Sequence, residues 1–239
     1  MVQADAYIRR EPCHRLRFSH PQPMAILKAA LFDLDGVIFN TEPQYTLFWG
    51  SQFQRYYPDR PGLEHAIKGQ TLTQIYDAYF SGALEAERPV ITQRLNDYER
   101  RMTFPYIKGF LQLAQDLRSK GIHTAVVTSS NQDKMASVCE QHPEFTTLID
   151  AILTSEDFAY SKPHPDCYFR AMARFGATPA ESIVFEDSIN GLRSGRDSGA
   201  FVLALTTSHS AADLQALSDY QIPDFEGITV DKHNALLTH

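Results

Sequence analysis

Four short polar clusters hold the residue types that could do chemistry, and they belong with apolar runs. Asp33 and Asp35 stand two apart, with Gly36 behind them, after Ala29-Ala30-Leu31-Phe32. Thr128 and Ser129 follow the run His123–Val127, and Glu186 and Asp187 follow Ser182-Ile183-Val184-Phe185. Lys162 lies in Ser161-Lys162-Pro163-His164-Pro165, after the weaker run Ala151–Leu153. Two carboxylates side by side repel, so they require a cation or a shared proton. Three or four carboxyl groups in one crevice suit a hard cation held through oxygen, and Mg2+ fits best. The two prolines after Lys162 fix its loop and hold the ammonium in place. Thr128-Ser129 offers hydroxyl and backbone N–H groups, which suit phosphate oxygens. Together these groups describe a phosphoryl-transfer site. Taken singly, each has a blander reading: a turn for Asp33-Leu34-Asp35, a helix cap for Asp187 or Ser188, a surface lysine, a loop. Their occurrence in order at strand ends argues against four separate coincidences.

The elements must bring these clusters together. Short apolar runs bounded by polar turns read as buried parallel strands, with Phe201–Leu205 as a further one. Between them lie helical patterns. Phe110–Lys120 places Phe110, Leu113, Ala114 and Leu117 on one face and stops at Gly121; Asp166–Phe175 stops similarly at Gly176. Alternating strands and helices imply right-handed crossovers and a parallel sheet covered on both sides. Ligands of such sheets bind beyond the carboxyl ends of the strands, which is where all four clusters fall. The stretch from Glu42 to Thr103 breaks the alternation. Pro43–Tyr57, Thr71–Phe80 and Glu85–Met102 read as helices, with Pro89 near or displacing the start of the last. The expected architecture is an α/β, Rossmann-like parallel-sheet core formed by residues 25–41 and 104–239, with an all-helical cap, 42–103, inserted after the first strand. Residues 1–24 form an extension expected to be poorly structured.

Composition narrows the class. A chain of 239 residues allows one large domain, or a core domain with a small insertion. Twenty-two basic against 29 acidic residues give a net charge of −7, the wrong sign for a general nucleic-acid or anionic-membrane binder. Cys13, Cys139 and Cys167 are widely spaced with no C-x-x-C pair, which argues against a zinc knuckle and a disulfide framework and fits a reduced, cytoplasmic setting. No apolar run is long enough for a transmembrane helix. Residues 1–24 hold Arg9, Arg10, Arg15 and Arg17 but no continuous apolar stretch, so they are not a secretory signal. Asp5 and Glu11 count against an organelle presequence. The expected partner is a small phosphorylated molecule bound by a monomer.

Phe32-Asp33-Leu34-Asp35-Gly36-Val37, Val127-Thr128-Ser129, Lys162-Pro163-His164-Pro165-Asp166 and Phe185-Glu186-Asp187-Ser188-Ile189-Asn190-Gly191 resemble the four motifs of the haloacid dehalogenase superfamily. They resemble in particular the helical-cap subfamily that includes β-phosphoglucomutase and many small phosphatases, and the likeness runs from about Ala25 to Leu205. The resemblance implies that Asp33 is the nucleophile and forms an aspartyl-phosphate. It makes Asp35 the general acid for the leaving group and then the base for water. It gives Thr128, Ser129 and Lys162 the transferring phosphoryl group. It places Mg2+ on the Asp33 side chain, the Asp35 backbone carbonyl and Asp187, with Glu186 beside it. Dehalogenases of the family lack the second aspartate, so Asp35 favours a phosphoester substrate.

In this family the cap selects the substrate. The cap entrance here is Asn40-Thr41-Glu42, with Asn40 where the family often has aspartate. Tyr45 is the first cap-helix residue expected to face the site. Ile67-Lys68-Gly69-Gln70 resembles the specificity loop, with Gly69 at its turn; Lys68 either contacts the leaving group or is a solvated surface lysine. The β-phosphoglucomutase pattern has a histidine and an arginine where Tyr45 and Leu72 stand. The expected activity is therefore Mg2+-dependent hydrolysis of a small phosphorylated metabolite, with sugar phosphates foremost. The alternatives are a phosphomutase and a phosphate-binding module without turnover.

Overall fold

The computed structural model describes residues 26–231. The strands are β1 (Ala29–Phe32), β2 (His123–Val127), β3 (Ala151–Leu153), β4 (Ser182–Glu186), β5 (Phe201–Leu205) and β6 (Tyr220–Ile222). They form one sheet in the order β3-β2-β1-β4-β5-β6, and all five neighbouring pairs are parallel. Helices α1 (Glu42–Tyr56), α2 (Leu63–Ala66), α3 (Leu72–Tyr79), α4 (Arg88–Glu99) and α5 (Phe110–Ser119) lie between β1 and β2. Helices α6 (Gln132–Gln141) and α7 (Phe145–Leu148) precede β3, α8 (Asp166–Arg174) precedes β4, α9 (Ile189–Asp197) precedes β5, and α10 (Ala211–Leu214) precedes β6.

All four residues of β1 are buried, because both faces of the sheet are covered. Ala29 and Leu31 face one apolar layer, with Val127, Tyr168 and Val184; Ala30 and Phe32 face the other, with Phe110, Val126 and Phe185. The rings of Phe32 and Phe185 stack at 4.4 Å between centroids, fixing β1 against β4. After β1 the chain builds outward through β2 and β3, then crosses back to lay β4 on the other side of β1. The strand order thus reverses at β1, which opens a crevice at its carboxyl end. Phe32 pairs with Val126 on one side and with Phe185 on the other, so the polar residues that follow the three strands sit at one level.

Helices α1 to α4 pack around an apolar cluster of their own, built on Phe48, Trp49, Phe53, Ile75, Phe80 and Ile91. Each such side chain contributes roughly 1.5–3 kcal/mol on full burial. One helix differs from the sequence expectation. The run expected to be helical from Glu85 is a 3-10 segment, Gly82–Glu87, and α4 begins at Arg88 with Pro89 in its first turn. Proline has no N–H to give and a helix-compatible φ, so it belongs at that position. The helix also ends at Glu99, three residues short of Met102. The expected extension, 1–24, and residues 232–239 lie outside the described residues. Among the described residues no helix is long and apolar enough to cross a membrane.

Candidate active site

The chain leaves β1 at Asp33 and must turn at once to expose two carboxylates. Gly36 permits this: its φ is +74°, and a Cβ there would fall 2.0 Å from Asp187 Oδ2. Asp187, at the end of β4, is nearly fully buried and accepts hydrogen bonds from the hydroxyls of Ser208 and Thr207, which follow β5. Thr207 also donates to the Gly36 carbonyl at 2.6 Å, joining the β1 and β5 ends.

Lys162 is 5% exposed and spends its ammonium inside the site. Its Nζ donates to Asp33 Oδ1 at 2.6 Å, Glu186 Oε1 at 2.6 Å and the Val127 carbonyl at 2.8 Å. Tyr168 donates its hydroxyl to the same Glu186 oxygen at 2.6 Å. Glu186 is completely buried, so Lys162 and Tyr168 anchor it beneath the crevice. Burial raises the Asp33 carboxyl from its ordinary 3.8 to about 7; Lys162 opposes the rise, and Glu186 and Asp35 add to it. Asp187 is pushed well above the usual carboxylate range, by burial first and then by the charges of Asp33, Glu186 and Glu42. Burial alone would lower the Lys162 ammonium, but Asp33 and Glu186 more than offset it and the net direction is upward.

Carboxylate oxygens of Asp33, Glu186 and Asp187 lie within 4.8 Å of one another. Three carboxylates meet one ammonium there, leaving negative charge uncompensated in a buried place. The donors are all oxygen. This set fits a hard divalent cation, which would neutralise the excess and draw Asp33 and Asp187 together, with Glu186 beside them.

Asp35 is held separately. Its Oδ1 accepts from the Thr41 hydroxyl at 2.6 Å; its Oδ2 accepts from Lys134 Nζ at 2.5 Å and from the Ser130 hydroxyl at 3.3 Å. Thr128 is buried, its N–H is committed to the Leu153 carbonyl, and its hydroxyl oxygen accepts from the Ser130 N–H at 3.0 Å. Thr128 can therefore turn its hydroxyl, and not its N–H, to a ligand.

A cavity of about 460 Å³ separates the strand ends from the insertion. Asp33, Asp35, Thr128, Ser129, Lys162 and Asp187 line one wall, and Tyr45, Lys68 and Gly69 line the other. Of the residues singled out in the sequence, Glu186 alone lies behind the wall. Gly69 is where the insertion meets the sheet layer. Its φ is +71°, and a Cβ there would lie 2.7 Å from Ser188 Cβ. The Asn190 amide, in the first turn of α9, donates to the Gly69 carbonyl and to Gln74 Oε1, each at 3.0 Å. Tyr45 donates to Glu99 Oε1 at 2.7 Å, and its ring face lies 4.7 Å from Lys134 Nζ. Glu42, Glu64 and Glu99 join the insertion's wall, so carboxylates there outnumber Lys68.

Sequence reasoning missed Lys134, Ser130, Thr41 and Glu99 around Asp35 and Tyr45, and Tyr168, Thr207 and Ser208 around Glu186 and Asp187. Thr207-Ser208 follows the fifth apolar run as the other clusters follow theirs, so the same rule reaches it. Lys134 sits three residues past Asn131, whose side chain accepts from the Lys134 N–H at 2.9 Å and caps α6. A helix that starts at a strand end turns its first residues toward the crevice, and that was the available signal.

A family model described as haloacid dehalogenase-like hydrolase matches residues 30–205. The chain is 28% identical over 194 residues to validoxylamine A 7'-phosphate phosphatase of Streptomyces hygroscopicus subsp. limoneus, covering 78% of this chain and 89% of that one. It is 27% identical over 209 residues to hexitol phosphatase A of Escherichia coli, covering 86% and 94%. The crystal structure of a family IA, variant 3 HAD hydrolase from Entamoeba histolytica superposes with a TM-score of 0.77 at 22% identity, over 89% of this chain and 100% of that one. That likeness establishes a shared fold. The matched region spans β1 to β5 and contains the Asp33-Asp35, Thr128-Ser129, Lys162 and Glu186-Asp187 clusters, and on that match the chain belongs to the haloacid dehalogenase-like hydrolase family.

Proposed function

We propose that the chain is a Mg2+-dependent phosphatase acting on a small phosphorylated metabolite, with an uncharged polyhydroxylated leaving group such as a sugar. The carrying observation is the Asp33–Lys162–Glu186–Asp187 cluster at the floor of the cavity between the strand ends and the insertion, with Asp35 held independently beside it. Relatives named as phosphatases of validoxylamine A 7'-phosphate and hexitols support the class.

Asp33 is the nucleophile. Lys162 keeps its Oδ1 engaged at 2.6 Å, which fixes the carboxylate and leaves the other oxygen to attack phosphorus. The P–O bond to the leaving group breaks as the Asp33–phosphorus bond forms, giving an aspartyl-phosphate. Asp35 hands its proton to the departing oxygen, then takes one from the water that attacks the intermediate, returning Asp33 and releasing phosphate. Splitting one displacement into two lowers each barrier. Thr128 and Ser129 orient the phosphoryl oxygens. Asp33 and Asp187 would hold Mg2+ with the Asp35 carbonyl, and Glu186 would anchor Lys162 beneath them. Bound there, the ion supplies charge neutralisation for the phosphoryl oxygens. The insertion forms the wall of the cavity that faces the strand ends.

The insertion's wall also bears on hydrolysis against phosphoryl transfer within a sugar. A mutase must grip a second phosphate, and cationic side chains suit that grip. Here Glu42, Glu64 and Glu99 face the cavity with Lys68. Phosphate release from a panel of phosphorylated metabolites with Mg2+ tests the reading, with β-glucose 1-phosphate included. Free glucose and phosphate are the expected products. Glucose 6-phosphate, formed with catalytic glucose 1,6-bisphosphate, would establish the mutase instead; no release from any ester would leave a binding module.

A further inference from the structure

Lys134 is a strongly engaged group at the cavity's edge that the mechanism above does not use. It lies in the first turn of α6, and its side chain is 1% exposed. A lysine carries a large desolvation cost in such a place, so its partners must repay it. They are Asp35 Oδ2 at 2.5 Å, Ser130 Oγ at 3.1 Å, and the Tyr45 ring face at 4.7 Å. Lys134 does not line the cavity, whereas Asp35, Ser130 and Tyr45 do. It therefore reaches a ligand only through them. With Thr41 on Oδ1, Lys134 completes a grip on both oxygens of Asp35. Tyr45 belongs to the insertion and is itself fixed by Glu99 at 2.7 Å, so this grip spans the seam between insertion and sheet.

We propose that Lys134 is a positioning residue that holds the Asp35 carboxyl in line with the leaving-group oxygen, braced on its far side by the Tyr45 ring. The inference rests on the role given to Asp35 above. A purely structural ion pair would tie α6 to the β1 turn and affect all substrates alike. A positioning pair affects those substrates whose leaving group needs Asp35.

The test compares, in the single turnover that precedes attack by water on the intermediate, release of glycerol from β-glycerophosphate, whose alkoxide requires a proton, with release of p-nitrophenolate from p-nitrophenyl phosphate, which departs without one. The variants are Lys134→Met, Asp35→Asn and the double variant, in the full-length chain with Mg2+. Asp35→Asn establishes the pattern: a large loss on the alkyl ester and a small one on the aryl ester. Lys134→Met should lower the single-turnover rate of leaving-group release from β-glycerophosphate by about 10- to 100-fold, the cost of a misplaced catalytic group, with the substrate concentration for half-saturation nearly unchanged and the p-nitrophenolate burst slowed only about threefold. The double variant should be no slower than Asp35→Asn, because Lys134 acts through that residue. Equal losses on both esters, or losses that multiply in the double variant, would overturn the proposal. If Asp35→Asn shows no ester preference, the role of Asp35 fails first and takes this inference with it. Should Lys134→Met not fold, Lys134→Arg decides: it keeps the cation and should show a smaller loss of the same ester-selective kind, and a uniform loss would refute positioning.

Discussion

Asp33→Asn should make the metal-free protein more stable while removing its chemistry. The side chain of Asp33 is 14% exposed, and its carboxyl is held at about 7 instead of 3.8, burial being the largest cause. A carboxyl raised on folding is at ease when protonated and costs stability when ionised. The cost is absent below about pH 4, grows as pH rises, and levels off above about 7. At 1.36 kcal/mol per pH unit, the rise from 3.8 to about 7 corresponds to a ceiling of about 4 kcal/mol at pH 8, with the Lys162 attraction already included. At pH 5 the same reasoning leaves less than half of that ceiling. Asparagine resembles the protonated acid in shape and charge, so the variant escapes the cost. For a chain of this size the pH 8 ceiling corresponds to a Tm increase of about 8–15 °C. Thermal melts of both proteins in EDTA at pH 5 and pH 8 measure the gap. It should be wider at pH 8, and Mg2+ should narrow it by stabilising the native protein more than the variant. A variant no more stable at pH 8, or a gap independent of pH, would refute the picture of a carboxylate cluster short of positive charge.

Other expected outcomes concern the cation and the insertion. Chelation should abolish phosphate release and Mg2+ restore it, with Ca2+ restoring it poorly because its bonds are longer, about 2.3–2.6 Å against 2.0–2.1 Å; full turnover in EDTA would contradict the assigned ligands. Gly69→Ala introduces left-handed strain of roughly 1–2 kcal/mol as well as the close contact with Ser188, and should lower kcat/KM about tenfold or more. Because the strain is relieved by lifting the loop off α9, its Tm should fall by only a few degrees, and unchanged kinetics would show that this contact is idle. Lys68→Ala should shift KM among metabolite esters more than it shifts kinetics on p-nitrophenyl phosphate; equal shifts would remove Lys68 from substrate selection.

The sheet and its site were legible to different depths. Strands such as Ala29–Phe32 and Phe201–Leu205 stood out because burial on both faces makes them continuous apolar runs, and the polar residues after them then marked the crevice. β6 has only three residues, Tyr220–Ile222, too few for any periodicity to show. The start of α4 turned on whether Glu85 or Pro89 sets the boundary, and proline's missing N–H decided for the later one. Asp33, Asp35, Lys162 and Asp187 were readable as motifs because their spacing within short loops is fixed by the backbone. Lys134 and Tyr168 were not, because each sits inside a helix and acquires its role through a partner about a hundred or 18 residues away. The start of α6 at a strand end marks Lys134 as near the crevice, but nothing local in the sequence says that it pairs with Asp35. The insertion's acidic wall was similarly hidden, since Glu42, Glu64 and Glu99 come from three different helices.

The central claim is that Asp33 takes the phosphoryl group before water does. The stereochemical course at phosphorus tests this most directly, using a phosphate ester made chiral with oxygen isotopes and sulfur, turned over by the native chain with Mg2+. Two successive in-line displacements, first by Asp33 and then by water, each invert the centre, so the expected outcome is net retention in the released thiophosphate. Net inversion would mean that water attacks the substrate directly, and would contradict Asp33 as the nucleophile.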